Sequence, residues 1–236
     1  MKLNAPVKGI FFDAGWTLLY PATADWFINL KLTDCIDGDI YAAIPESRKA
    51  AAFGHAQAFL DANHLVLTEE DELKQFETFY SMLADDLPEL ALTEQQIRDI
   101  AYTKIYDMDN YIYYGDTVGT LDVLKGRYKL GVISDTWPSI ERILKHGGVW
   151  DHFETRTFSC FLGVFKPDRR MFLDALEQMK LPPEQTVFID DTETNLDGAA
   201  SCGIQPVLIT ANPKGTNSGR YPSIGRLSDL MDMLPD

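Results

Sequence analysis

Four short apolar runs, each ending at a polar residue, punctuate the chain: 7–12 (VKGIFF), 129–134 (KLGVIS), 186–191 (TVFIDD) and 205–210 (QPVLIT). Their near-continuous hydrophobicity is that of strands covered on both faces rather than on one. Between and after them the apolar spacing lengthens to the helical period, over 117–126, 138–147, 168–180, 193–202 and 225–234. Short buried strands alternating with helices predict βα units on a parallel sheet.

Residues 21–110 follow a different pattern, with almost no strand-like run. A helix is expected over 46–62, with Ala50, Phe53, Ala56, Phe59 and Leu60 on its apolar side. Thr68-Glu69-Glu70-Asp71 has the spacing of a capping box and precedes Leu73, Phe76, Phe79, Tyr80 and Leu83. Thr93-Glu94-Gln95-Gln96 repeats that spacing ahead of Ile97, Ile100, Ala101 and Ile105. The pattern predicts a doubly wound, Rossmann-like α/β core over 1–20 and 111–236. An all-helical insert over 21–110 splits it after the first strand. Residues 211–221 read as a polar Gly/Asn loop, and no internal repeat is present.

Charge sharpens this division. The chain of 236 residues carries a net charge of −15. The insert holds 18 acidic against 6 basic side chains, and the remainder 18 against 15. Such a balance argues against nucleic acid and anionic membrane surfaces as partners, since both require a positive footprint. No apolar run reaches the length of a membrane span, and Met1-Lys2-Leu3-Asn4-Ala5-Pro6 contains no leader-like apolar core. Cys35, Cys160 and Cys202 form no CxxC pair. An odd number of scattered cysteines and no signal-peptide pattern fit a reducing cytoplasm, the compartment expected from the sequence.

Common catalytic signatures are missing: GxGxxG, GxxxxGK[ST], GxSxG and HExxH do not occur, and His55, His64, His146 and His152 lack metal-ligand spacing. Polar residues gather instead where the predicted strands end, the end at which open α/β sheets bind ligands. Asp13 follows the first strand, Ser134 ends the second, and Asp190-Asp191 ends the third. Lys166 stands in the loop Gly163-Val164-Phe165-Lys166-Pro167-Asp168. A carboxylate nucleophile, a hydroxyl, a lysine and an acidic pair suit phosphoryl transfer. Aspartate can attack phosphorus, Mg²⁺ takes carboxylate and carbonyl oxygens, and lysine and hydroxyl groups hold phosphate oxygens.

In these residues the chain resembles the haloacid dehalogenase superfamily of hydrolases. Four ordered motifs carry the likeness: Phe11-Phe12-Asp13-Ala14-Gly15-Trp16-Thr17-Leu18, Gly131-Val132-Ile133-Ser134-Asp135, the Gly163–Asp168 loop, and Val187-Phe188-Ile189-Asp190-Asp191 with Asn195 and Gly198-Ala199-Ala200. The resemblance implies a phosphatase with a helical cap acting on a small molecule. Asp13 would be nucleophile and Mg²⁺ ligand, and Lys166 would position phosphate and nucleophile. Thr17, Ser134, Asp135, Lys166 and Asn195 would contact substrate. The Gly15 carbonyl, Asp191 and Asp190 would complete the metal set.

One departure matters. Phosphatases of this superfamily carry a second aspartate two residues after the nucleophile, which protonates the leaving alcohol. Here that position is Gly15. General acid–base catalysis contributes about 10²–10⁴-fold, so simple alkyl phosphates should be poor substrates. The same departure is compatible with a metal-independent 2-haloacid dehalogenase, for which Arg48 is the candidate halide-holding arginine. It is also compatible with a phosphonatase-like hydrolase using Lys31, Lys49, Lys74 or Lys104, or with a non-catalytic binding protein on the same fold.

Overall fold

The structure is a computed structural model that describes residues 3–4 and 6–234. Met1, Lys2, Ala5, Pro235 and Asp236, and with them part of the N-terminal run read for a leader, lie outside the described residues. In chain order the elements are β1 (Gly9–Phe12), β2 (Leu19–Pro21), α1 (Leu30–Cys35), α2 (Gly38–Ala43), α3 (Glu46–Ala62), α4 (Glu69–Asp86), α5 (Glu94–Tyr106) and β3 (Tyr111–Tyr113). They continue as α6 (Thr117–Lys125), β4 (Lys129–Ser134), α7 (Ile140–His146), β5 (Thr155–Phe158), α8 (Ser159–Leu162), α9 (Arg169–Met179), β6 (Thr186–Asp190), α10 (Glu193–Ser201), β7 (Gln205–Ile209), β8 (Ser223–Ile224) and α11 (Leu230–Met233). Among the described residues no helix is long and apolar enough to cross a membrane.

The chain divides into two compact units. One takes the chain through Tyr20, Tyr113–Thr136 and the stretch from Ile140 onward; the other takes Pro21–Ile112 and Trp137–Ser139. In the first, six parallel strands run in the order β5-β4-β1-β6-β7-β8. The order reverses direction at β1, which pairs with β4 on one side and β6 on the other. Apolar side chains fill this sheet because both faces are covered. Phe11, Ile133 and Phe188 pack with Met171, Phe172, Leu196 and Ala199 from α9 and α10, all buried.

Two strands of the six-stranded sheet escaped the sequence pattern, as did the short β2 and β3. In β5 the run TRTF is only four residues long and is interrupted by Arg156, whose guanidinium lies 3.9 Å from the Trp150 ring. β8 has two residues, too few for any periodicity. The helix expected over 225–234 is broken into a 3₁₀ turn, Leu227–Asp229, and the single turn α11.

The second unit is helical, apart from its ends in β2 and β3. Ala52, Ala56 and Leu60 form the buried stripe of α3 at a strict i, i+4 spacing, with Phe53 and Phe59 flanking it. Ala50, expected inside, faces solvent. Phe76, Phe79, Tyr80 and Leu83 of α4 and Ile100 and Ala101 of α5 complete this core. Four consecutive acids, Glu69 to Glu72, fill the first turn of α4, where the exposed N–H groups of the helix favour negative charge. At α5 the capping box is complete, with Thr93 and Gln96 bonded reciprocally. At α4 only half forms: Thr68 accepts from the Asp71 N–H, while the shorter Asp71 side chain accepts from the Thr68 hydroxyl at 2.8 Å. The six-residue helices α1 and α2, capped by Asn29 and Asp37, are too short to show a period.

The predicted helix over 138–147 begins only at Ile140. Glu72, 1% exposed, takes the preceding Ser139 into the helical unit, accepting from its N–H at 2.8 Å and from its hydroxyl at 2.6 Å. Burial raises the Glu72 carboxyl to about 7, partly offset by the two Ser139 bonds and by Lys104, while Glu69 adds to the rise. A carboxyl raised in the folded state stabilises the fold below its unfolded value and loses that contribution as pH climbs through about 7. Glu72→Gln should therefore gain on the wild type between pH 5 and 8, by up to about 3 kcal/mol. Paired thermal melts across that range check it; a constant difference would show that Glu72 does not titrate there.

Candidate active site

The site is assembled by register. Phe12 pairs with Val132 on β4 and Ile189 on β6. One step further, Asp13 stands between Ile133 and Asp190 at the C-terminal edge of the sheet. Its N–H donates to the Ile189 carbonyl at 2.8 Å. Ser134, buried, closes β4 beside Phe158 of β5.

Lys166 reaches this edge from the loop after α8. That helix ends at Gly163, whose φ of 65° is a left-handed conformation that glycine adopts without strain. Lys166 Nζ donates to Asp13 Oδ1 at 2.6 Å, to Asp190 Oδ2 at 2.8 Å and to the Ile133 carbonyl at 3.4 Å. Its backbone N–H donates to Asp135 Oδ1 at 2.9 Å. The loop is supported from below by α10, which approaches closely because residue 198 is glycine. A Cβ there would lie 2.8 Å from the Pro167 carbonyl oxygen and 2.6 Å from the Phe172 ring. Gly198→Ala should thus push the Lys166–Pro167 segment, costing about 1–3 kcal/mol of stability and displacing the lysine. A thermal melt together with an activity assay reads both effects.

Asp190 is fully buried and saturated by protein donors. Beside Lys166 it accepts from the Thr192 N–H at 2.7 Å and from Asn195 Nδ2 at 3.1 Å. Asn195 therefore acts on Asp190 and, through it, on Lys166. Asp191 is held at Oδ2 by Asn212 Nδ2 at 2.7 Å and at Oδ1, more distantly, by the Thr192 hydroxyl at 3.4 Å. Asn212 lay unnoticed within the polar 211–221 loop. The available signal was its place just past β7, next to β6 in the sheet.

Two carboxyl groups thus bond the Lys166 ammonium, a third holds its backbone, and Asp191 lies near enough to act on Asp13 and Asp190 electrostatically. Burial pushes Asp13 up to about 8, with Lys166 opposing and with Asp190 and Asp191 adding to the rise. Asp191 is raised by burial and then by Asp190, and Asp135 by burial foremost. Burial works against the charge of Lys166 too, but Asp13, Asp190 and Asp135 outweigh it and hold the ammonium above the ordinary lysine range.

The motif-one turn follows Asp13 directly in the chain. Trp16 has φ 55°, an unusual backbone for a bulky residue. It is held there by its N–H bond to the Leu19 carbonyl at 2.7 Å and by stacking on Tyr20 at 5.9 Å; Tyr114 continues the ladder at 4.9 Å. Burial and then the nearby Asp191 push the Tyr114 hydroxyl up to about 12. Thr17 is fully buried, and its hydroxyl has no hydrogen-bond partner among the described residues. It lines a cavity of about 290 Å³ with Tyr114, Asp116, Thr210 and Arg226.

Among the described residues no group of three or more His, Cys, Asp or Glu side chains stands ready to hold a metal ion. Asp191 lies near enough to Asp13 to add to the rise of its carboxyl, and Gly15 follows Asp13 by two residues. The donor set is entirely oxygen, and the crowding of carboxyl groups that helps raise Asp13 and Asp191 is of the kind a hard divalent cation such as Mg²⁺ relieves.

In the helical unit four of the five residues tied to the alternative readings are engaged. Arg48 pairs with Glu89, Lys49 with Glu46 at 2.9 Å and Lys74 with Asp71 at 3.3 Å. Lys104 donates to the Tyr111 hydroxyl at 3.2 Å.

A doubly wound sheet with polar side chains gathered at its switch point places the chain among Rossmann-like α/β proteins. The family model of haloacid dehalogenase-like hydrolases matches residues 7–203, and the chain belongs to that family. GMP/IMP nucleotidase YrfG of Escherichia coli is 31% identical over 123 residues, covering 51% of this chain and 55% of the relative. Pyrimidine 5'-nucleotidase YjjG of Escherichia coli is 26% identical over 122 residues, 50% of this chain and 54% of the relative. The chain spans about half the length of the curated relatives it matches. A 2-haloacid dehalogenase from Pseudomonas syringae superposes with a TM-score of 0.66 at 19% identity, covering 97% of this chain and 98% of that one. A phosphatase from Thermococcus onnurineus gives 0.63 at 22% identity, covering 96% and 97%. At these identities the two structures share the fold.

Proposed function

We propose that the chain is a Mg²⁺-dependent phosphohydrolase acting on a small phosphorylated metabolite whose leaving group departs without a side-chain proton donor. The observation that carries this reading is the buried bond from Lys166 to Asp13 and Asp190 at the sheet edge. A lysine fixed between two carboxylates is positioned to hold both a nucleophile and the phosphate it attacks. Asp13 would attack phosphorus, forming an O–P bond as the ester O–P bond breaks and the leaving oxygen departs with its electron pair. With glycine at position 15 that oxygen takes its proton from water. Water then attacks phosphorus, releasing phosphate and restoring the carboxylate. Ser134 and Thr17 would bind phosphate oxygens. Asp13, the Gly15 carbonyl and Asp191 would hold Mg²⁺, while Asp190, saturated by Lys166, Thr192 and Asn195, would keep the lysine in place. Bound there, Mg²⁺ would neutralise phosphate charge.

The nucleotidase names of the matched relatives favour a phosphate ester over a carbon–halogen bond. So does Arg48, whose guanidinium is committed to Glu89. The helical unit would serve as a cap that reads the substrate, and the three cysteines, none in a disulfide, suit the cytoplasm. Hydrolysis of p-nitrophenyl phosphate should vanish with a chelator and return with added Mg²⁺. Chelator-resistant halide release from 2-haloacids would support the dehalogenase reading instead.

A further inference from the structure

Asp191 leaves β6 with its carboxylate tied to the loop that follows β7, and both belong to the core unit. Asn212 Nδ2 donates to Asp191 Oδ2 at 2.7 Å, a far shorter bond than the 3.4 Å contact from the Thr192 hydroxyl to Oδ1. The other end of the Asn212 amide fixes its direction: Oδ1 accepts the Lys214 N–H at 2.9 Å. An amide oxygen only accepts, so with Oδ1 on an N–H the NH₂ group is the end that faces the carboxylate. The Asn212 carbonyl accepts from the Gly215 N–H at 3.0 Å and closes the turn.

The far end of the same loop is fastened to α10. Glu193 Oε1 accepts the Ser218 N–H at 2.9 Å and the Ser218 hydroxyl at 2.7 Å. Arg220 reaches Glu193 at 3.3 Å and Asp197 at 3.0 Å, and the Tyr221 hydroxyl donates to Asp197. Glu193 and Asp197 stand one turn apart on α10, and Glu193 follows Asp191 by only two residues. Isolated surface ion pairs contribute little, but here Ser218, Arg220 and Tyr221 form one network on two acids of one helix. The loop therefore runs from Asp191 to the helix that begins just beyond it.

We infer that Asn212 is a positioning residue for cation binding: it holds Asp191 in one orientation, and the clip of Ser218, Arg220 and Tyr221 on α10 holds Asn212. The inference rests on the Mg²⁺ reading of the site. A carboxylate ordered before the ion arrives loses less freedom on binding. Hydrogen bonds to ligating side chains are worth about 10–100-fold in metal affinity. The Asn212 donor is neutral, so it orients Asp191 without cancelling the charge that attracts a cation.

Calorimetric titration of Mg²⁺ into the full chain tests this without substrate. The wild type should bind, and Asp191→Asn should abolish that binding, which marks it as belonging to this site. Asn212→Ala should weaken it about 10–100-fold, while its thermal midpoint without Mg²⁺ moves by no more than about 4 °C. Arg220→Ala, which bonds neither Asp191 nor Asn212, should weaken binding in the same direction by less, and it keeps the test open if Asn212→Ala does not fold. Wild-type affinity in Asn212→Ala overturns the inference, as does binding that survives Asp191→Asn. Wild-type affinity in Arg220→Ala overturns the clip. A wild type that binds no Mg²⁺ overturns the inference together with the metal reading. A chain whose Mg²⁺ binding depends on Asn212 yet which turns over no phosphate ester fails the phosphohydrolase reading alone.

Discussion

Asp13→Asn should abolish hydrolysis, with turnover falling on the order of 10⁵–10⁶-fold, the scale seen when a covalent nucleophile is removed. The fold should survive. Asparagine offers the same Oδ1 to Lys166, and it relieves a crowded site in which burial already pushes the Asp13 carboxyl up to about 8. The thermal midpoint of the variant should therefore equal or exceed that of the wild type. Steady-state assays on p-nitrophenyl phosphate and a melt of the same preparation check both halves. Retained turnover in a folded variant removes Asp13 from the nucleophile's role.

Gly15→Asp should have the opposite effect on one class of substrate. A carboxyl two residues beyond the nucleophile could protonate a departing alkoxide, a contribution of about 10²–10⁴-fold. Gly15 is not among the glycines of positive φ, so an L side chain meets no left-handed backbone there. The gain should appear with alkyl phosphates. Aryl and acyl phosphates, whose leaving groups need less help, should change little. An equal change in both classes would mean that leaving-group protonation does not limit the wild-type enzyme.

Much of the core was legible because its signals are local. The KLGVIS run coincides with β4 at Lys129–Ser134, and TVFIDD differs from β6 only by releasing Asp191 from the strand. That release matters: Asp190 points into the Lys166 cluster while Asp191 is bonded by Asn212. Helix α3 matches its expected 46–62 span, though the buried stripe rotates to Ala52, Ala56 and Leu60. What stayed hidden depends on contacts distant in sequence. Nothing around Ser139 announces that Glu72, 67 residues earlier, holds it away from the following helix. Nor could spacing show that Asn195 serves Asp190, because both oxygens of that carboxylate had first to be seen committed. The opening charge pattern also gains meaning. Acids in the insert mostly face solvent or cap helices, whereas those of the near-neutral core include Asp13, Asp190 and Asp135, all bonded to Lys166.

The most direct test of the account is the chemical trapping of its covalent intermediate. The wild-type chain, mixed with p-nitrophenyl phosphate and Mg²⁺ and quenched within a turnover, is treated with borohydride and mapped by mass spectrometry. An aspartyl-phosphate is reduced to homoserine, and that conversion is expected at position 13 alone, dependent on substrate. An unmodified Asp13 in a preparation that is turning over, or reduction at another carboxyl group, would contradict it.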